Sequence, residues 1–583
     1  MREVVRMRAL VMAAVTVGLS ASPMAATYYV DGAAANAADE NPGTEAQPWK
    51  TIARAGGAAE LKPGDTVLIK TGVYREHARI TVSGEEGQPI TFAAAPGAKV
   101  VVKGSEVVTG RWTRLSEDAS VQEPYPNAFQ NVWTIELGEE FFTDPDFAGS
   151  YQDKSRRWVS QVYLQDYRAL QLIGEDRIYT NEPYARLRTV GRGRDDLIMD
   201  SFFFDPAAQM LYMKTGGDPA WYSIEVGVRG WVLTASKVHD VVIRGLELRQ
   251  NRQPGGQWPM VNLGECERVV IEDCRVSQAD FCGLGVGRSK GCTVRRCDLS
   301  YNGNTGLGMG ENDGVVVEDC RVFFNNYRRF HPGWHAGGMK CIPRNRRCTV
   351  QRCEVAYNIN SDGIWFDAEN EDIRILSNIS HHNDGCGIFF EINPGGGVIA
   401  DNLVYGNHGR GIYLSGSQSV YVLHNTVAHN DCGIVCMPRE DPFTLEHVTI
   451  LNNLLIDNYV VGEGGPRGCD LTVYMGSPGE YEPYERKVMS NHSDYNVYAS
   501  LTWDPTMRHS WNPNNTLEQW QQRWQEDLQS RRVPVECELP GMGFRLLTTE
   551  GLDIAGPVPV ASGWQPAQPG RVGCARTEWQ ASR

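Results

Sequence analysis

Between Cys274 and Asn458 the chain repeats one short unit seven times, and that repeat constrains the fold more than any other feature of its 583 residues. The copies close on residues 276–278 (Val-Ser-Gln), Leu-Ser-Tyr-Asn302, Val-Phe-Phe-Asn325, Val-Ala-Tyr-Asn358, Ser-His-His-Asn383, Val-Tyr-Gly-Asn407 and Val-Ala-His-Asn430, with Leu-Ile-Asp-Asn458 as a looser last member. Successive closing Asn residues lie 23, 33, 25, 24, 23 and 28 apart. A period in this range denotes stacked supersecondary units, each burying the face of the next. Runs such as Val315-Val316-Val317 and Ile373-Arg374-Ile375 are too short for helices and read as strands punctuated by Gly, Asn and Asp. The closing Asn tolerates a left-handed backbone, so it is expected to form the recurring corner.

Five residues before each closing Asn runs a second column: Cys297, Cys320 and Cys353, extended upstream by Cys274 and continued by Asn378, Asn402, Asn425 and Asn453. Small thiols passing into amides at one register position predict an inward stack. The fold expected is all-β: a parallel β-helix, right-handed as such solenoids are expected to be.

The N-terminus carries Arg2, Arg6 and Arg8, an apolar run from Ala9 to Leu19 and small residues to Ala26, the pattern of a signal peptide too short to span a membrane. The expectation is a secreted or periplasmic protein with no membrane insertion. Losing residues 1–26 removes three Arg and one Glu and moves the net charge from −15 to −17, which argues against nucleic acid as a partner. All fifteen Cys follow residue 265, an odd number without a CxxC pair, and read as buried thiols, with inter-coil disulfides as the alternative.

Residues 27–104 read as an N-terminal cap and first coils, 105–235 as an inserted β-rich module or long loops, 236–460 as the solenoid core, and 461–583 as C-terminal coils and a flanking tail. The insert's aromatics, among them Trp112, Trp133, Phe141, Phe142, Trp158 and Trp221, fit core packing better than sugar stacking.

Aligned on a glycine, the coils read Gly363-Ile-Trp-Phe-Asp367, Gly387-Ile-Phe-Phe-Glu391 and Gly411-Ile-Tyr-Leu-Ser415. Strand alternation sends Ile364, Phe366, Ile388 and Phe390 inward, and Trp365, Asp367, Phe389 and Glu391 outward. Asp367 and Glu391 then sit on neighbouring strands about 4.8 Å apart. That spacing suits a retaining glycosidase, whose carboxyls stand about 5–5.5 Å apart, and is too close for an inverting one. Stacked like charges do nothing for folding, but they are a means of keeping one carboxyl protonated.

Lys340, one coil earlier and level with Trp365, is a candidate for binding a sugar hydroxyl or carboxylate. His335 closes the loop that lengthens the 325–358 interval and is a further candidate contact, beside Trp334. Trp365 is read as a sugar platform or a shield for the acids, and Asn393 as a residue that orients Glu391, binds a hydroxyl, or turns the chain before Pro394. Asp362, Glu369, Glu371 and Asp372, acidic neighbours on turns, default to solvated positions; they lack the dense spacing of a calcium loop, so structural calcium is the one metal entertained and no cofactor is required.

Gly363-Ile-Trp-Phe-Asp367, Ile373 to Asn378, Phe389-Phe-Glu391-Ile-Asn393 and Val398 to Asn402 together resemble the catalytic stretch of β-xylosidases of glycoside hydrolase family 120, which are β-helix enzymes. The resemblance implies Asp367 as nucleophile and Glu391 as general acid/base. It covers about forty residues, and departs from the family at Ala368 and at Pro394-Gly395-Gly396. The function expected is a retaining hydrolase acting on oligosaccharides or polysaccharides of plant or algal origin. One alternative is a polysaccharide lyase or uronate epimerase with Lys340 as base and Arg344, Arg346 or Arg347 neutralising the carboxylate. Another is a non-catalytic glycan-binding surface protein.

Overall fold

The computed structural model describes residues 25–579 except 119, 121, 143–157, 175–189, 253–257, 334, 440–442, 463–464, 474–489, 500–506, 509–514 and 540–542. Residues 1–24 of the signal-peptide segment and Trp334 lie outside the described residues. Three parallel sheets wind into a right-handed β-helix. Sheet one has thirteen strands, from Thr27–Val30 to His492–Asp494, and sheet two has twelve, from Ala78–Ile80 to Met507–Arg508. Sheet three is built from a four-stranded and an eight-stranded block, joined by single bridges at Arg275↔Asp298 and Asp298↔Arg321. Each coil visits sheet two, then one, then three, as in Asp362–Asp367, Glu371–Leu376 and Ile379–His381.

The corners differ from the sequence expectation. The left-handed residue is the one before each closing Asn: Tyr301, Phe324, Tyr357, His382, His429 and Asp457 all have φ between 45° and 58°. That residue takes the bend and delivers the next side chain to the interior. There Asn302, Asn325, Asn358, Asn383, Asn407, Asn430 and Asn458 stack, each side-chain amide donating to the next Oδ1 at 2.7–3.1 Å. Each Asn backbone N–H donates to the same oxygen of the next coil. Buried amides are tolerated because all their groups find partners. The glycine aligned in each coil is the clearance for this column: a Cβ on Gly387 would stand 2.8 Å from Asn407 Nδ2 and 2.4 Å from Val404 Cγ1.

The second column is as expected, Cys353 passing into Asn378, Asn402, Asn425, Asn453 and on to Asn496. All fifteen cysteines are thiols. A third column, unread in the sequence, runs from Asn312 through Asn345 and Asn370 to Asn393 at the corner between sheets two and one.

Residues 105–227 contribute an antiparallel sheet of four strands and a mixed sheet of five, in which Gln171–Leu172 runs parallel to Ser201–Asp205, beside the solenoid. Their aromatics, including Trp133, Trp158, Phe202 and Phe204, form a core that seats on Phe281, Cys282 and Phe330; Trp221 is exposed. The helix Leu517–Trp524, started by a Thr516 capping box, places Leu517 and Trp520 in the main core. Residues beyond it return over the outer face of sheet three, where Phe544 and Trp579 pack on Tyr405. No helix among the described residues is long and apolar enough to cross a membrane.

Two outcomes test this account. Asn383→Leu removes five buried hydrogen bonds and strands their partners, so denaturant unfolding should show a loss of about 2–5 kcal/mol. Asp470, which ends the closing-Asn column by accepting from Asn458, has its pKa pushed up to about 6 by burial. Its folded pKa exceeds the unfolded one, so its contribution is full below about pH 4 and is lost as pH rises through about 6. Asp470→Asn should therefore raise Tm at pH 8 relative to the parent, with little difference at pH 4.

Candidate active site

The outer face of sheet two carries the candidate site. Pairing sets Asp367 beside Glu391 and Glu391 beside Ser415 in one outward column, with Lys340, Trp365, Phe389 and Tyr413 in the column alongside. Neighbouring strands hold the two acids about 4.8 Å apart at the backbone.

The second column is a stack of rings. Trp365 lies on Phe389 at 5.1 Å and 16°, and Phe389 on Tyr413 at 4.7 Å and 19°. A cation closes each end: Lys340 Nζ is 2.9 Å from the Trp365 ring centre, and the Arg410 guanidinium carbon 4.1 Å from that of Tyr413. Lys340 Nζ also donates to Asp367 Oδ2 at 2.7 Å, and Trp365 Nε1–H donates to Glu391 Oε2 at 3.0 Å. Arg439, just past the strand Cys432–Met437, reaches back to Glu391 Oε1 at 2.5 Å and to Ser415 Oγ at 3.1 Å.

The acids thus occupy different surroundings. Asp367 is in an ion pair with a lysine whose side chain is fully buried. Burial, and next the charge of Asp367, raises the pKa of Glu391, against smaller opposing pulls from Arg439, Lys340 and the Trp365 N–H. Burial lowers the pKa of Lys340, opposed first by Asp367. Asp362 is a third acid here. Its Oδ1 accepts the Cys386 N–H at 2.6 Å and burial raises its pKa, so the expectation of a solvated turn residue is corrected.

Of the six residues singled out in the sequence, Asp367, Glu391, Lys340 and Trp365 come together. Trp365 is no sugar platform: it is 4% exposed with Lys340 on one side and Phe389 stacked against it. Asn393 touches no open surface. Its Oδ1 accepts from Asn370 and its Nδ2 donates to Phe366 O, because it belongs to the third interior column. His335 is buried beside Asn304 Oδ1 and Thr305 Oγ1, and burial with the Lys340 charge lowers its pKa to about 3. His335 and Lys340 both line a cavity of about 160 Å³.

Arg344 and Arg346 pair with Glu311, Glu369 and Glu371, and Arg347 pairs with Asp313, along the corner. Sequence reasoning missed Arg439. It leaves the strand before it acts, so alternation does not set its direction; only its place two residues past Met437, the register partner of Ser415, hinted at it. Among the described residues no group of three or more His, Cys, Asp or Glu is placed to hold a metal.

Residues 234–330, 259–427 and 341–474 match the family described as right handed beta helix region. The structure of XylC in complex with xylose superposes with a TM-score of 0.62 at 16% identity, covering 89% of each chain. A structure named only as a glycoside hydrolase gives a TM-score of 0.39 at 13% identity, over 82% of this chain and 96% of that one. The uncharacterized protein YwoF of Bacillus subtilis (strain 168) is 36% identical over 77 residues, a stretch that spans 13% of this chain and 16% of that relative. The family match and the superposition on the XylC complex agree with the β-helix fold.

Trp365→Phe keeps the ring stack and deletes one donor to the Glu391 carboxylate. The expected result, read by carboxyl NMR titration against the parent, is a further rise of the Glu391 pKa with the fold intact.

Proposed function

We propose that the chain is an exported retaining glycoside hydrolase with Asp367 as nucleophile and Glu391 as general acid and base. The observation that carries this reading is the in-register pair itself: two carboxyls on adjacent strands, one ion-paired to Lys340 and the other buried with its pKa raised. Environments that push paired acids apart assign their roles. The fold likeness to the XylC complex with xylose supports a sugar substrate.

In the first step an Asp367 carboxylate oxygen attacks the anomeric carbon as its bond to the leaving oxygen breaks, and that oxygen takes the proton of Glu391. Lys340 holds the attacking carboxylate in place, and Trp365 and Arg439 hold Glu391. In the second step Glu391 takes a proton from water, the water oxygen bonds to the anomeric carbon, and Asp367 leaves. Two inversions return the original configuration. Lys340 is a poor base for lyase chemistry while its ammonium is tied to Asp367, and the arginines that chemistry would need are engaged along the corner.

A screen of aryl glycosides tests the proposal. Asp367→Asn should lower kcat at least about a thousandfold. Glu391→Ala should regain turnover of aryl glycosides with good leaving groups when azide is added, giving a glycosyl azide of the substrate's own configuration. In the parent, kcat/KM should fall as pH rises through the raised Glu391 pKa, and this limb should vanish in Glu391→Ala. An azide product of inverted configuration, or unsaturated sugar from the Asp367→Asn protein, would overturn the assignment.

A further inference from the structure

The column that holds Lys340 and Trp365 continues upstream across the outer face of sheet two. In register, Trp365 is preceded by Lys340, Gly308, Gly285, Asn262 and Thr234. The acid column alongside is likewise bare, with Gly310, Gly287 and Gly264 in the corresponding coils. Side chains rise from the face at the acids and fall away before them. The cavity beside Lys340 follows this bare strip, lined by Gly308, Gly310, Gly285, Gly287 and, at its far end, Asn262 and Pro259.

Beyond that end stands a group of aromatic rings. Trp258 is 48% exposed and meets Trp231 edge-on at 5.4 Å, while His77 lies against Trp231 at 5.8 Å and shares a 2.9 Å hydrogen bond with Thr234, which follows Arg79 in the column. Five strand steps separate Thr234 from Trp365, about 24 Å at the usual strand spacing. That length takes several sugar rings in a row.

We propose that this glycine-floored strip is an extended glycan-binding groove, that Trp258 is its distal anchor, and that the preferred substrate is a neutral oligosaccharide chain spanning from the acids to the aromatic group. The proposal rests on the glycosidase reading for the direction of action, and adds the substrate class. Three features support it. Within the cavity the floor offers backbone amides and Asn262, and its charged lining residue, Lys340, is already paired with Asp367; at the distal end Arg79 precedes Thr234 in register and donates to His77. An exposed indole face binds the C–H face of a sugar ring, and its burial in the complex removes apolar surface from water. The glycines are also not all demanded by packing: a Cβ on Gly287 would meet only Gly310 O, at 3.9 Å, so the bare floor there is not required by the fold.

That last observation supplies the test. Gly287→Trp fills the groove without crowding the core, and Trp258→Ala removes the anchor. Binding of a panel of neutral oligosaccharides of two to six units, including xylo-, cello- and manno-series, is measured by calorimetry on the Asp367→Asn protein. Affinity for at least one series should rise with chain length, and both substitutions should lower it by about tenfold or more for the longest members. In the active enzyme the ratio of kcat/KM on the hexamer to that on an aryl monoglycoside should fall in both variants. Length-independent binding across every series, or length dependence that survives both substitutions, would overturn the groove. Tight length-dependent binding without cleavage by the parent would instead keep the groove and remove the hydrolase reading. Circular dichroism and Tm of each variant confirm the fold.

Discussion

Register is what this molecule depends on, and buried amides enforce it. Apolar layers alone tolerate sliding, since one Val on another is much like the next. An interior asparagine tolerates none, because a slip of one residue turns each donor and acceptor away from its partner inside a medium that offers no water. Three such columns, one at each corner, lock successive coils to one another through the part of the solenoid that carries the acids. The candidate site inherits that precision. Asn370 and Asn393 form the corners just after the strands that carry Asp367 and Glu391, so the ladder that aligns the corners also sets the acids side by side.

On that frame the chemistry is assembled from unlike neighbours. A coil with Lys340 precedes the one with Asp367, and Glu391 follows with an indole N–H and a guanidinium. The ring stack between Lys340 and Arg410 gives these groups a rigid floor. Planar rings at one register position have little freedom to rotate, so the cations and the indole N–H are presented in a fixed direction. Asp362 adds a third carboxyl near Lys340, held by the Cys386 N–H.

Much of this was legible because a solenoid converts sequence spacing into spatial adjacency. The period, the Cys-to-Asn column and the outward placement of Trp365, Asp367, Lys340 and Glu391 all follow from counting and alternation. What escaped lies where counting stops. The left-handed residue and the inward Asn share a corner, and spacing cannot say which takes the bend. Asn393 looked like a site residue because it follows Glu391 by two, but the intervening left-handed Ile392 turns it to the interior. Trp365 looked like a platform because it points outward, and only the structure shows Lys340 and Phe389 on either side of it. Arg439 comes from a loop, whose direction no periodicity encodes.

The returning C-terminal segment carries a consequence for how the protein matures. Gly573 donates to Asn452 O, Cys574 to Thr426 Oγ1, and Ala575 to Asp401, so residues 573–575 strap coils made more than a hundred residues earlier. Arg374, on the coil of Asp367, reaches Gly563 O in the same way. Until the segment from Phe544 to Trp579 is made, the apolar outer face of sheet three behind those coils has no cover. Arrival of this segment, rather than completion of the coils, is the event that seals the wall, and a chain cut before it would carry both acids on an unsealed scaffold.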